Sequence, residues 1–223
     1  MLNTENTLET CFLPPPAEIE EATNLLSAAA DAFLRQDHEA ARLLLRSADI
    51  PVLREYRSHF VGANKHPRVV LTRTVVGSAG HVGRGERDQS RMPIGSFAVA
   101  IFARDGWRCR YCGIRVASLK AFNELNKHYY EEIRWRPGPY SDRNMIFNVI
   151  AGSLDHVVPH ARGGETTAEN LVTACGCCNY GKKSRTLTEV GLSDPRGRPA
   201  VVDGWDGLMR VIIGPRVGFT GFD

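Results

Sequence analysis

Two pairs of cysteines, each with the spacing C-x-x-C, constrain the fold of this chain more than any other feature. One pair lies in WRCRYCG and the other in ACGCCN. Two residues between cysteines let one tight turn direct both thiolates at the same tetrahedral Zn²⁺. Of the three cysteines in the second group, only Cys175 and Cys178 repeat the spacing of Cys109 and Cys112. We therefore expect these four residues to bind Zn²⁺, with Cys177 as a small packing residue.

A zinc ion closed by four thiolates has no open coordination position, so the predicted site is structural rather than catalytic. It would join two segments that are far apart in the sequence. Two alternatives stay open at this point. Cys175 could pair with Cys177 as C-x-C, or the cysteines could be unrelated buried residues.

Bulk composition is that of a globular protein. With 223 residues, 43% of them hydrophobic, the chain can bury one sizeable core, or one domain with a smaller appendage. No apolar run approaches the roughly 18 residues that a membrane helix needs. The first residues lack a basic start followed by an apolar stretch, so we expect no membrane association and a cytoplasmic location. Closely spaced cysteines there favour metal ligands over disulfides.

Charge is unevenly distributed along the chain. Residues 1–60 carry five Arg or Lys and ten Asp or Glu, whereas residues 61–103 carry six and two. A basic middle is suited to a polyanion such as nucleic acid, although an ordinary mixed surface would explain the charge alone.

The sequence divides into four predicted regions. Helical periodicity over residues 1–60 predicts a small helical module, which we interpret as a packing or partner-docking unit. Residues 61–103 predict a strand, a basic glycine-rich loop and a short helix ending near Gly106. Residues 104–190 contain both cysteine pairs, and residues 191–223 form a C-terminal tail.

The glycine-rich stretch Gly77–Gly95 lacks the Gly-Lys-Ser/Thr ending of a nucleotide P-loop, which disfavours that function. We interpret it as a mobile basic loop. Its arginines are candidates for phosphate contacts, with an ordinary solvated loop as the alternative. They are Arg84, Arg87 and Arg91.

Four motifs, which lie before and across the second cysteine pair, carry a resemblance to a known family. They are LDHVVP, RGG, ENLVTAC, and the CN that precedes YGKK. Over residues 104–183 the sequence resembles the HNH nucleases, which share a ββα-metal fold. The resemblance implies an α+β protein in which a four-cysteine zinc site stabilises a ββα-metal nuclease domain, preceded here by the small helical module.

The chemistry of these motifs suits phosphodiester hydrolysis. A histidine can accept a proton from water near neutral pH, and a carboxylate with an amide oxygen can hold a hard divalent cation. The resemblance implies that Asp155 and Asn179 bind this cation, that His156 is the general base, and that Asn170 fixes the loop orienting it. Many members have histidine where this chain has Asn179, and an oxygen donor favours Mg²⁺ or Mn²⁺.

Each of these residues also has a simpler interpretation. Asn179 could be a helix N-cap, Asn170 a turn former, and Asp155 with His156 a surface pair. Their combination favours the catalytic interpretation. Further candidates for phosphate contacts are Arg162, Lys182 and Lys183, with a solvated face as the alternative, and His160 is ambiguous between a phosphate contact and a loop residue.

One departure from the family is the 42 residues between Cys112 and Asp155. We interpret residues 118–152 as an insertion that contains a helix over 119–133 and a turn at RPGPYSD. Its aromatic residues could stack on nucleic acid or pack around the zinc module. They are Tyr129, Tyr130 and Trp135.

The sequence thus predicts a metal-dependent HNH endonuclease that acts on DNA, most simply double-stranded DNA, and the family resemblance implies that it leaves 5′-phosphate and 3′-hydroxyl ends. The alternative is a non-catalytic zinc module that binds nucleic acid or a partner protein. A role in phage defence or interbacterial competition, with residues 1–60 docking a partner, is a further hypothesis.

Overall fold

The structure is a computed structural model that describes residues 9–61, 80–88, 95–135 and 139–214. The N-terminal part of the fold consists of three helices, α1 (Glu18–Leu34), α2 (His38–Ser47) and α3 (Pro51–Phe60). Asp37 is the N-cap of α2, because its side chain accepts a hydrogen bond from the Ala40 amide at 3.1 Å. The strand predicted within residues 61–79 lies outside the described residues.

A two-stranded antiparallel sheet and one helix form the ββα unit. Strand β1 (Ser153–His156) pairs with β2 (Leu171–Ala174), and Asp155 lies opposite Val172. Helix α8 (Gly176–Lys182) follows β2 directly. Before the sheet, helix α4 (Gly95–Arg104) ends where the sequence predicts, and its apolar side chains pack on the strands. The residues of this contact are Phe97, Ala98, Ile101, Phe102, Leu154 and Leu171.

The insertion folds as part of the core. It forms α5 (Leu119–His128), α6 (Tyr130–Ile133) and α7 (Ile146–Val149). The rings of Phe122 and Phe147 meet edge to face with centroids 4.8 Å apart. The predicted single helix is interrupted at Tyr129, which is completely buried, and Trp135 is 6% exposed. These two rings therefore pack inside the protein, which agrees with the packing interpretation of the insertion. They are not exposed for stacking on nucleic acid.

The segment predicted as a tail returns across the region of the first cysteine pair. It follows helix α9 (Leu187–Val190) and contains α10 (Arg210–Ile213). The Trp205 indole N–H donates to the Val116 carbonyl at 2.7 Å. Arg210 forms an ion pair with Asp31 of α1 at 2.8 Å. Residues 192–214 thus contact both helix α1 and the residues that follow the first cysteine pair.

The N-terminal helices share one hydrophobic core with residues 104–190, so they do not pack as a separate unit. Phe60 of α3 and Phe12 meet edge to face at 6.4 Å. Both rings lie against Gly181 of α8, where an added Cβ would come within 3.1 Å of Phe12. These contacts support the helix that carries Asn179. Within the described ranges, no helix combines the length and apolar character needed to cross a membrane.

Candidate nuclease site

Four cysteines converge on one point between the two segments. The sulfurs of Cys109, Cys112, Cys175 and Cys178 all lie within 4.8 Å of one another, and Cys177 is outside the group. The Cys112 and Cys175 sulfurs are 3.7 Å apart. Ligands about 2.3 Å from a tetrahedral Zn²⁺ are about 3.8 Å from each other. The donor set and its spacing therefore fit zinc.

Local backbone geometry explains this convergence. The first pair lies on a turn that closes through a bond from the Gly113 amide to the Cys109 carbonyl at 2.8 Å, and Gly113 adopts a φ of +80°. In the second pair, Cys175 is the N-cap of α8 and its sulfur accepts from the Cys178 amide at 3.4 Å. Each pair thus directs two sulfurs to the same side of a short turn.

A cleft of 720 Å³ opens beside the ββα unit. Three of the four predicted catalytic residues line it: Asp155, His156 and Asn179. Asn179 lies inside α8 rather than at its N-cap position, which Cys175 occupies. The N-cap interpretation of Asn179 is therefore wrong. The other lining residues are Arg84, Arg87, Asp88, Ser153, Leu154, Pro159, His160, Ala161, Lys183 and Ser184.

Asp155 is buried and has two partners. Its Oδ2 accepts a hydrogen bond from the Tyr111 hydroxyl at 2.6 Å and lies 3.1 Å from the Lys182 ammonium. The contact of its Oδ1 with the same ammonium is longer, at 3.4 Å. A carboxylate offers about four lone-pair sites. Asp155 can therefore keep these partners and still donate a lone pair of Oδ1 to a cation in the cleft.

Burial and charge act in opposite directions on this pair. Burial raises the pKa of the Asp155 carboxyl, while the Lys182 charge and the Tyr111 hydrogen bond oppose that rise. Burial also lowers the pKa of Lys182, and Asp155 opposes this change. The pKa of Tyr111 is raised well above its ordinary value, first by burial and then by the Asp155 charge. Tyr111 therefore stays protonated and donates to the carboxylate.

His156 is the last residue of β1 and lines the same cleft as Asp155. Its Nε2 is 3.0 Å from the Thr166 hydroxyl oxygen, and its ring centroid is 5.6 Å from that of His160. A hydroxyl can donate or accept, so this contact serves either tautomer of the ring. Thr166 therefore restrains the orientation of the imidazole.

Asn170 holds the loop between the strands. Its amide nitrogen donates to the carbonyls of Val158 at 3.1 Å and Glu165 at 2.8 Å, and its amide oxygen accepts from the Val158 amide at 2.8 Å. The two glycines of RGG are needed here, because Gly163 has a φ of +87° and a Cβ on Gly164 would come within 1.8 Å of the Val158 carbonyl oxygen. Asn170 thus occupies the position expected of a residue that fixes the loop, and it does not line the cleft.

Residues 80–88 dock against this loop. The Val82 amide donates to the Ala161 carbonyl at 3.0 Å, and the His160 Nε2 donates to the Asp88 carbonyl at 2.8 Å. This docking places Arg84 and Arg87 in the wall of the cleft. Arg91 lies outside the described residues, as do residues 77–79 and the rest of 89–94 of the glycine-rich stretch.

The remaining basic candidates separate into two groups. Lys183 is exposed and lines the cleft. Lys182 is completely buried against Asp155, and its ammonium also donates to the His156 carbonyl at 2.7 Å. Arg162 pairs with Glu189 at 3.1 Å with 14% of its side chain exposed. The predicted phosphate contact of Lys182 is corrected, because its charge is buried against Asp155, whereas that of Arg162 stays a prediction.

Sequence reasoning missed two side chains that act directly on the candidate residues. Tyr111 lies between the cysteines of the first pair, and nothing in the sequence around it indicates a contact with Asp155. Thr166 lies in a loop rich in turn formers, and nothing local distinguishes it from Thr167. The contact of Tyr111 with Asp155 spans 44 positions, and that of Thr166 with His156 depends on the folding of the loop between the strands, so local pattern could not reveal either contact.

Comparisons with known proteins give one match. No curated protein and no solved structure matches the chain. One segment, which begins in α7 and ends just beyond α9, matches a family model. It contains both strands and α8, together with Asp155, His156, Asn170 and Asn179. Residues 148–192 match the family model of the HNH endonucleases.

Proposed function

We propose that the chain is a metal-dependent endonuclease that hydrolyses phosphodiester bonds in double-stranded DNA. The observation that carries this proposal is the placement of Asp155, His156 and Asn179 around one cleft, within the segment that matches the HNH endonucleases. Members of that family are nucleases, which gives nucleic acid as the substrate class. The choice of DNA follows from the resemblance described above.

His156 is the general base of the proposed reaction. Its ring accepts a proton from a water molecule, and the water oxygen attacks the phosphorus atom. The bond from phosphorus to the 3′ oxygen breaks, which leaves a 5′-phosphate and a 3′-hydroxyl. The contact with Thr166 at 3.0 Å supports this role because it restrains the ring, and Asn170 maintains the loop around it.

Asp155 and Asn179 would hold a hard divalent cation, Mg²⁺ or Mn²⁺, through oxygen donors. When bound, this cation supplies positive charge that stabilises the leaving oxygen. The Lys182 charge opposes the rise that burial causes in the pKa of Asp155 and fixes the carboxyl group at 3.1 Å. Arg84, Arg87 and Lys183 line the same cleft and are placed to hold the phosphates on either side of the cut.

The cysteine cluster would hold a structural Zn²⁺ that joins residues 109–112 to the start of α8. This function is supported by the sulfur spacing, and it keeps Asn179 in place because Cys175 and Cys178 belong to the first turn of the same helix. Tyr111, between the cysteines of the first pair, transmits that rigidity directly to Asp155.

A plasmid-relaxation assay tests the proposal. Purified protein with intact cysteines is incubated with supercoiled plasmid in Mg²⁺, in Mn²⁺, and in EDTA added last, so that the buried zinc is retained. We expect conversion to open circles or linear DNA with either metal and none in EDTA. Asn179→Ala should require more Mg²⁺ for the same rate. If zinc-loaded protein binds the plasmid without cutting it in any metal, the chain is a nucleic-acid-binding zinc module instead.

A further inference from the structure

Residues 80–88 precede the matched segment 148–192 by some sixty positions in the sequence, yet they are bonded to its central loop. One of their bonds joins the Asp88 carboxylate to that loop. The Asp88 Oδ2 accepts a hydrogen bond from the backbone amide of Thr166 at 2.8 Å. Hydrogen bonds to an ionised acceptor are about twice as strong as neutral ones.

Thr166 connects this carboxylate to the candidate base. Its backbone amide binds Asp88, and its hydroxyl oxygen is 3.0 Å from Nε2 of His156. Thr166 lies outside both strands, so no sheet ladder fixes its backbone. The Asp88 backbone also holds the loop at a second place, because its carbonyl accepts from His160. That bond requires a proton on Nε2 of His160, since a carbonyl can only accept.

We propose that Asp88 is a positioning residue, which holds the backbone of Thr166 so that the threonine hydroxyl orients the imidazole of His156. This inference rests on the proposed nuclease function. The nuclease site then extends beyond the matched segment and includes a part of the chain that its family model does not cover.

The charge of Asp88 separates this function from phosphate binding. Asp88 lines the cleft together with Arg84, Arg87 and Lys183. A carboxylate repels a phosphate, so its presence there weakens DNA binding rather than strengthening it. Removal of Asp88 should therefore slow the chemical step without weakening the complex. General disruption of the loop would impair both.

The experiment measures single-turnover cleavage of a labelled duplex at saturating enzyme, and DNA affinity separately in Ca²⁺. The variants are Asp88→Ala, Thr166→Val, the double variant and Thr166→Ser. A misplacement of about 1 Å can cost on the order of 100-fold in rate. We expect Asp88→Ala and Thr166→Val each to lose about 10- to 100-fold in cleavage rate, with DNA affinity equal to or above wild type. Thr166→Ser keeps the hydroxyl and should cleave at close to the wild-type rate.

The double variant tests whether the two residues act together. If Asp88 acts through the Thr166 hydroxyl, Asp88→Ala should cost little once that hydroxyl is gone, so the double variant should match Thr166→Val. Glu86→Ala is the matched control, because Glu86 is an exposed acid of the same segment that does not line the cleft. It should cleave at the wild-type rate.

Three results would overturn the proposal: losses that multiply in the double variant, weaker DNA binding by Asp88→Ala, or a wild-type rate for Thr166→Val. The last result remains decisive even if Asp88→Ala fails to fold. Failure of the nuclease function itself would look different, because wild-type protein and His156→Ala would then cleave equally. A His156-dependent cut with no effect at Asp88 or Thr166 contradicts only the positioning inference.

Discussion

The Lys182 ammonium lies 3.1 Å from Oδ2 of Asp155, and neither side chain is more than 6% exposed. The neighbouring Lys183 is exposed and lines the cleft. Two adjacent lysines thus have different functions. One neutralises a buried carboxylate, and the other is available to DNA.

Replacing Lys182 should destabilise the fold. Lys182→Met keeps the length of the side chain but leaves the Asp155 carboxylate buried without its cation, which typically costs about 3–5 kcal/mol. Urea denaturation monitored by fluorescence should show this loss in the free energy of unfolding. Lys183→Met is the matched control and should change it by less than about 0.5 kcal/mol.

The double variant Asp155→Asn with Lys182→Met removes both charges and should recover part of the lost stability. Equal unfolding free energies for the two lysine variants would mean that the buried pair does not form.

Helical periodicity could have separated these lysines from sequence alone. Lys182 follows Cys178 by four positions and Lys183 follows Asn179 by four, and residues four apart share a helix face. The first face carries Cys178 of the cysteine cluster and is buried, whereas the second carries Asn179, which lines the cleft. The prediction of phosphate contacts for both lysines took no account of the helix face on which each one lies.

The zinc assignment predicts different consequences for neighbouring cysteines. Cys178→Ser should lose zinc and unfold, because the free energy of metal binding is folding free energy in such a site. Cys177→Ser, whose sulfur is outside the cluster, should keep one zinc per chain. Metal analysis of the purified variants measures both. Zinc loss from Cys177→Ser with retention in Cys175→Ser would support the C-x-C pairing instead.

The exposed cleft cations should control the salt dependence of DNA binding. Each phosphate contact contributes about 0.9 to the slope of log affinity against log salt. Arg84→Gln and Lys183→Gln should each reduce the slope by up to that amount, and the double variant by up to about 1.8. Fluorescence anisotropy at several salt concentrations gives the slopes. Arg196→Gln, a surface arginine that pairs with Asp194, should leave the slope unchanged, and an unchanged slope in the double variant would exclude both residues from the interface.

Asp203 should make stability depend on acidic pH. Burial opposes ionisation, but hydrogen bonds from Arg108 and Arg115 lower the net pKa of Asp203 below its ordinary value. Because the folded pKa is depressed, the stabilisation is present above about pH 4, the unfolded value, and is lost as the pH falls further.

Thermal unfolding should therefore show Asp203→Asn less stable than wild type by about 1 kcal/mol at pH 7, with the difference shrinking from pH 5 to pH 2. Glu86→Gln, which removes an exposed acid, should show no such convergence. A difference that is constant with pH would assign the effect of Asp203→Asn to packing rather than to charge.

Matched spacing explains why the cysteines and the ββα motif could be predicted. C-x-x-C fixes where two sulfurs point, and the motifs around Asp155, His156 and Asn179 indicate the residues that the structure brings to one cleft. The docking of residues 80–88 could not be predicted, because it depends on bonds such as that from Thr166 to Asp88, across 78 positions. The packing of the N-terminal helices could not be predicted either, because their periodicity shows which face is apolar but not which residues pack against it.

The general-base function of His156 is the central claim, and the most direct measurement compares binding with cleavage for one variant. His156→Ala and wild type are titrated with a labelled duplex in Ca²⁺, and single-turnover cleavage is then followed in Mg²⁺. We expect unchanged DNA affinity and zinc content, with cleavage slower by about 10²–10⁴-fold, the usual contribution of a positioned general base. Cleavage by zinc-loaded His156→Ala at the wild-type rate would contradict the account.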